Sequence, residues 1–124
     1  MKDIMAIIRM NKVNETKKAL EEIGINSFTS TGNVLGRGKG LVDKKILDGA
    51  KNQQEEAIAQ LGDGPKLFPK RLITIVVNDE DVEDVVEAII KTNQTGAAGD
   101  GKIFVLPITN AIRVRTGEKG KAAL

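Results

Sequence analysis

The chain has 124 residues, 40% of them hydrophobic, and contains neither cysteine nor histidine. That length supports one buried core and not two ordinary domains, while the missing side chains exclude disulfides, thiol nucleophiles, imidazole bases and the commonest transition-metal ligands. Basic and acidic residues number 19 and 17, a net charge of +2, so any cationic site must be local and the overall charge carries no signature of nucleic acid.

From Met1 to Lys12 there is only a short apolar patch broken by Arg9. It lacks the h-region of a signal peptide, and no run reaches the roughly 18 apolar residues of a membrane helix, so the expectation is a cytoplasmic protein that is not membrane-embedded. Within Lys2 to Arg9, Ile4, Ala6 and Ile8 alternate with Met5 and Ile7, which predicts an interior strand covered on both faces. Asn11 offers an N-cap, Val13, Leu20 and Ile23 fall at helical spacing, and Gly24 stands at the C′ position, giving a helix. Ile25 to Leu35, rich in Thr, Ser and Val, predicts a second strand that runs into Gly36, Gly38 and Gly40.

The same order of events recurs. Arg71 to Val77 predicts a third strand, Asn78 a cap, and Asp79, Glu80 and Asp81 an acidic helix start, after which Val82, Val85, Val86, Ile89 and Ile90 form an apolar face. Ile103 to Ile108 is the fourth strand. Two β-α-β units in one short chain give an α+β fold, the ferredoxin-like duplicated plan with helices on one face of an antiparallel sheet. Residues 1–124 are expected to form a single domain. Between its halves, Gly36 to Pro69 far exceeds a hairpin connection; Lys44 to Leu61 has weak helical periodicity before the break Gly62-Asp63-Gly64-Pro65. It reads either as a surface loop or as an arm that orders on contact with a partner.

The segment TGAAGDGK, Thr95 to Lys102, has phosphate-loop spacing in Gly96, Gly101 and Lys102. A P-loop, however, needs Ser or Thr next and then a helix, whereas Ile103 opens a strand. Glycines still allow backbone N–H groups to approach an anion, with Lys102 adding charge; a simple helix-to-strand turn is the alternative. In AIRVRTG, Arg113 and Arg115 stand two apart in a β-like run, a fork for phosphates if both project from one face. Lys70 and Arg37 supply cations near strand ends. The acidic pairs Glu21-Glu22, Glu55-Glu56 and Asp79 to Asp81 lie in helical or capping contexts and form no catalytic constellation. Three Phe without Tyr or Trp leave no stacking platform for bases, which excludes the RNA-binding use of this fold.

The runs GDGKIFV (Gly99 to Val105) and IRVRTGEKG (Ile112 to Gly120) resemble the C-terminal signature of the PII signal-transduction family. The resemblance extends through KDIMAIIR, the first helix, LGRGKG and PKRLITIVV, and falters mainly in Val42 to Gly64. It implies a non-enzymatic regulator of nitrogen metabolism, a homotrimer or a trimer mixed with a paralogous PII subunit, that binds ATP or ADP, Mg with ATP, and 2-oxoglutarate as effector. Carried over by position, Gly99, Asp100, Gly101 and Lys102 surround the nucleotide phosphates, Arg113 and Arg115 reach in from the neighbouring subunit, and Thr29, Gly36, Arg37 and Val76 line the same cleft. Lys70 matches the lysine that holds an effector carboxylate. Residues about 36–69 correspond to the partner-binding T-loop and about 111–124 to a C-terminal segment.

Three departures bear on these roles. The absence of tyrosine excludes T-loop tyrosine uridylylation. Gly38 replaces the Gln that helps hold the effector-bound magnesium, and Thr74 stands where many members carry an acid. The long loop and LGRGKG resemble the nitrogenase-associated branch, whose target is dinitrogenase, inhibited until 2-oxoglutarate rises. The other targets in view are an ammonium transporter or glutamine synthetase. A ferredoxin-like enzyme using Lys70 or Lys102 is disfavoured by the missing His and Cys.

Overall fold

The computed structural model describes residues 1–38 and 66–124. The periodicity noted over Lys44 to Leu61, and most of the expected T-loop, lie outside the described residues. Strands β1 (Lys2–Ile8), β2 (Thr29–Gly36), β3 (Phe68–Val77) and β4 (Gly101–Pro107) alternate with helices α1 (Val13–Glu22) and α2 (Val82–Asn93). The sheet order is β2-β3-β1-β4, every pair antiparallel, so β1 is an interior strand and the plan is the ferredoxin-like one.

Period-two alternation builds the core. Ile4, Ala6 and Ile8 of β1 and Ile73, Ile75 and Val77 of β3 face Val13 and Leu20 of α1 and Val85 and Ile89 of α2 in one buried cluster. Ile4 pairs with Ile75 and Ala6 with Ile73, so both strands aim their branched side chains at the helices. Leu20 is fully buried. Leu20→Ala is expected to cost about 2–5 kcal/mol, seen as a lower urea midpoint with unchanged slope.

The helix ends differ in how well residue type foretold them. Gly24 takes φ +85, and the bonds Gly24 N–H to Glu21 O (2.9 Å) and Ile25 N–H to Leu20 O (2.9 Å) form a Schellman closure, as expected of a C′ glycine. Asn11, by contrast, is not a cap: it lies inside the 3-10 turn Met10–Lys12 that leads into α1, and no side chain caps either this turn or α1. Asn78 does precede a helical start, the 3-10 turn Asp79–Asp81, although its side chain bonds no backbone N–H there. The second strand begins at Thr29, later than expected, and the third reaches back to Phe68.

Among the described residues of this chain, the expected cover of β1 is present on one face. Helices lie over that face among the described residues; the other presents Met5 and Ile7 of β1, Leu72 and Val76 of β3, and Phe104 and Leu106 of β4, with Phe104 45% and Leu106 38% exposed. Among the described residues, Asp3 on this face keeps a buried carboxylate oxygen without a hydrogen-bond partner. No helix among the described residues is long and apolar enough to cross a membrane.

Candidate functional site

Gly36, the last residue of β2, pairs with Phe68, the first of β3. The two ends of the segment between them are therefore held together at one end of the sheet. The loop from α2 to β4 arrives at the same end, because Gly101 pairs with Ile8 and Lys102 with Ile7. Between them lies a cleft of about 200 Å³ lined by Ile7, Gly36, Arg37, Gly38, Lys70, Gly99, Gly101, Lys102 and Phe104. Six residues given binding roles from the sequence thus meet there, Gly36, Arg37, Lys70, Gly99, Gly101 and Lys102, together with Gly38, which stands in place of the family's Gln.

Local sequence explains this geometry. Gly96, Gly99 and Gly101 all take positive φ (86, 97 and 123), conformations costly to residues with a Cβ. At Gly101 a Cβ would lie 2.2 Å from the Ile7 carbonyl oxygen, so only glycine lets the loop pass so close to β1. Lys70 is 8% exposed; its stem lies against Gly36, and its ammonium donates to the Gly99 carbonyl at 2.8 Å. Burial, and then the neighbouring Arg9 charge, push the Lys70 pKa below its ordinary value, partly offset by Asp100. Arg37 donates to the Lys66 carbonyl at 3.0 Å, and Lys102 is exposed at the cleft edge.

Asp100 has a different place from its neighbours. Its carboxylate accepts from the Thr95 hydroxyl, from the N–H groups of Thr95 (2.7 Å) and Gly96 (2.9 Å), and from Arg9 at 2.6 Å. These bonds, the Thr95 hydroxyl foremost, hold its pKa well below the usual carboxylate range. Arg9 also donates to the Ala98 carbonyl at 3.2 Å. In the sequence Arg9 closes the first strand and breaks an apolar run, with no binding role attached to it. Its signal was the strand register: Arg9 follows Ile8, which pairs with Arg71, and so comes level with Lys70.

The remaining expected residues lie elsewhere in the chain. Thr29 pairs with Thr74, about 13 Å along β3 from Lys70, and Val76, paired with Asp3, lies about 20 Å along it. Residues 111–117 are not the β-like run expected: Ile112 bridges Lys119, and the chain turns through Val114, Arg115 and Thr116. Arg113 therefore points back into its own segment, to Glu118 (3.0 Å) and the carbonyls of Ala122 (3.2 Å) and Leu124 (3.4 Å). Arg115 is at the exposed turn, so the two guanidinium groups do not form a fork from one strand face.

A family model described as Nitrogen regulatory protein P-II matches residues 1–118. The chain belongs to the PII family. PII chains of methanogens are similar to it over their whole length: "Nitrogen fixation nifHD1 region GlnB-like protein 2" of Methanosarcina barkeri is 46% identical over 127 residues, covering 100% of this chain and 99% of the relative. The corresponding nifHD region protein of Methanococcus maripaludis is 47% identical, with 100% of each chain covered. Among solved structures, Arabidopsis thaliana PII bound to citrate superposes with a TM-score of 0.74 at 35% identity, covering 99% of this chain and 91% of that one. This PII chain is accordingly a nitrogen-regulatory signalling protein of the nif-associated kind and not an enzyme.

Proposed function

We propose that the cleft binds the phosphates of ATP or ADP on the Gly99–Lys102 loop, and 2-oxoglutarate through Lys70. The observation that carries this reading is the convergence of a positive-φ glycine loop with Lys70, Arg37 and Lys102 in one cleft. Glycine backbone and cations together suit a polyanion better than either alone. The citrate held by the Arabidopsis neighbour supports a carboxylate effector in this fold.

The unit of function is a homotrimer, or a trimer mixed with a paralogous subunit, with the nucleotide between protomers. The open apolar sheet face, with its unpartnered Asp3 oxygen, supports association of copies. Such association would also let Thr29, Val76, Arg113 and Arg115 of one protomer complete the cleft of the next. Among the described residues no three histidine, cysteine or acidic side chains converge, and a magnesium ion would be held through the nucleotide's own oxygens.

Residues 1–124 act as one cytoplasmic PII unit in which the T-loop, about 36–69, carries the signal. Because Gly36, Arg37 and Lys70 belong both to its base and to the cleft, ligand and loop conformation are linked. The names of the methanogen relatives support dinitrogenase as the target. Pull-down from nitrogen-starved cells should bring down nitrogenase; recovery of an ammonium channel or glutamine synthetase in its place would redirect the assignment. Calorimetric titration should show 2-oxoglutarate binding more tightly when ATP and magnesium are present, a positive coupling. No effector binding under those conditions would refute the sensor reading.

A further inference from the structure

The loop from Thr95 to Asp100 is closed on itself by side chains that do not line the cleft. Both Asp100 oxygens are engaged: Oδ1 accepts from the Thr95 hydroxyl and Arg9, and Oδ2 from the N–H groups of Thr95 and Gly96. Four donors fill the acceptor sites of a carboxylate, leaving none for a phosphate-bound cation. The Thr95 hydroxyl oxygen also accepts from the Ala97 N–H at 3.3 Å, so one side chain ties the loop at two points. On the other side Arg9 holds the Ala98 carbonyl and Lys70 the Gly99 carbonyl.

A trans peptide points its N–H opposite to its C=O. Pinning the Ala98 carbonyl towards Arg9 therefore turns the Gly99 N–H away from that cation. The turn at Ala98 and Gly99 carries the Asp100 N–H back to the Ala97 carbonyl, whereas among the described residues the Gly99 N–H has no hydrogen-bond partner, an arrangement suited to receiving an anion. We infer that Thr95 and Arg9 are positioning residues that act with Asp100 to preset the Gly99 N–H, and that none of the three side chains is itself a nucleotide or metal ligand. This deepens the nucleotide reading above and rests on it.

The test compares the wild type, Thr95→Val and Thr95→Ser by calorimetry with ATP and with adenosine, alongside thermal melting. Valine keeps the branched shape but removes the hydroxyl; serine restores it. Thr95→Val should bind ATP roughly tenfold or more weakly, and Thr95→Ser within about threefold of wild type. Adenosine, which lacks phosphates, should bind all three alike. Wild-type ATP affinity in Thr95→Val overturns the inference, as does equal weakening in Thr95→Ser, or a parallel loss of adenosine. If Thr95→Val fails to fold, Asp100→Asn takes its place: it should weaken ATP binding and shift the Gly96 amide resonance, and unchanged ATP affinity overturns the inference. Failure of the wild type to bind ATP refutes the nucleotide reading itself, and the positioning role falls with it.

Discussion

Gly101→Ala is expected to destabilise the protein by about 2 kcal/mol or more and to abolish measurable ATP binding. The added methyl would meet the Ile7 carbonyl oxygen at 2.2 Å, and Ile7 belongs to the interior strand of the sheet. That oxygen cannot move without disturbing pairs on both sides of β1. The backbone at φ +123 is itself unfavourable for an L-residue. Relief must therefore come from β4 separating from β1 near Ile8, or from the loop adopting another path, and either change dismantles the cleft wall. Gly96→Ala is the control: it also has positive φ, but its Cβ would have nothing within 4 Å, so only the strain of about 1 kcal/mol is expected. Urea unfolding and ATP titration of the two variants decide the matter. Equal effects would mean that the close approach to Ile7 is not what fixes the loop.

Where physics acts locally, the sequence foretold the structure well. Alternation in Ile4, Ala6 and Ile8, helical spacing in Val85 and Ile89, and the C′ position of Gly24 each depend on near neighbours, and each reappears in the structure. The misses depend on context that local pattern does not contain. Asn11 has capping chemistry, but the chain enters α1 through a 3-10 turn that takes Asn11 inside it. Arg113 and Arg115 have strand spacing, yet Glu118 and the carbonyls of Ala122 and Leu124 draw Arg113 back and the chain turns. Long-range register hid Arg9, whose importance appears only when β1 is laid against β3 and the loop before β4. Within the candidate site, residue identities at Lys70 and Gly99 to Lys102 were legible from motif resemblance. The role of Asp100 was not, since a carboxylate next to a glycine loop suggests ligand chemistry until its four internal bonds are seen.

Lys70→Met should weaken 2-oxoglutarate binding by roughly 10–100-fold while changing ATP affinity by no more than about threefold. Methionine retains the apolar stem that packs against Gly36, so the substitution isolates the ammonium. A parallel loss of both ligands would show that the bond to the Gly99 carbonyl is chiefly structural. The pH dependence adds an independent check. Burial, followed by Arg9, lowers the Lys70 pKa from 10.5, so between the lowered value and 10.5 the unfolded chain binds more protons at this position than the folded one. Stability contributed by this group therefore rises with pH across that window and is lost as pH falls through the folded value. Lys70→Met should abolish this slope. Effector binding has the opposite sign, because a carboxylate at 2-oxoglutarate's position favours the charged ammonium and raises its pKa. Effector affinity should fall as pH rises into the window, with proton uptake visible as buffer-dependent heat. Affinity independent of pH there, without proton uptake, would exclude Lys70 as the carboxylate's partner even if its replacement weakens binding.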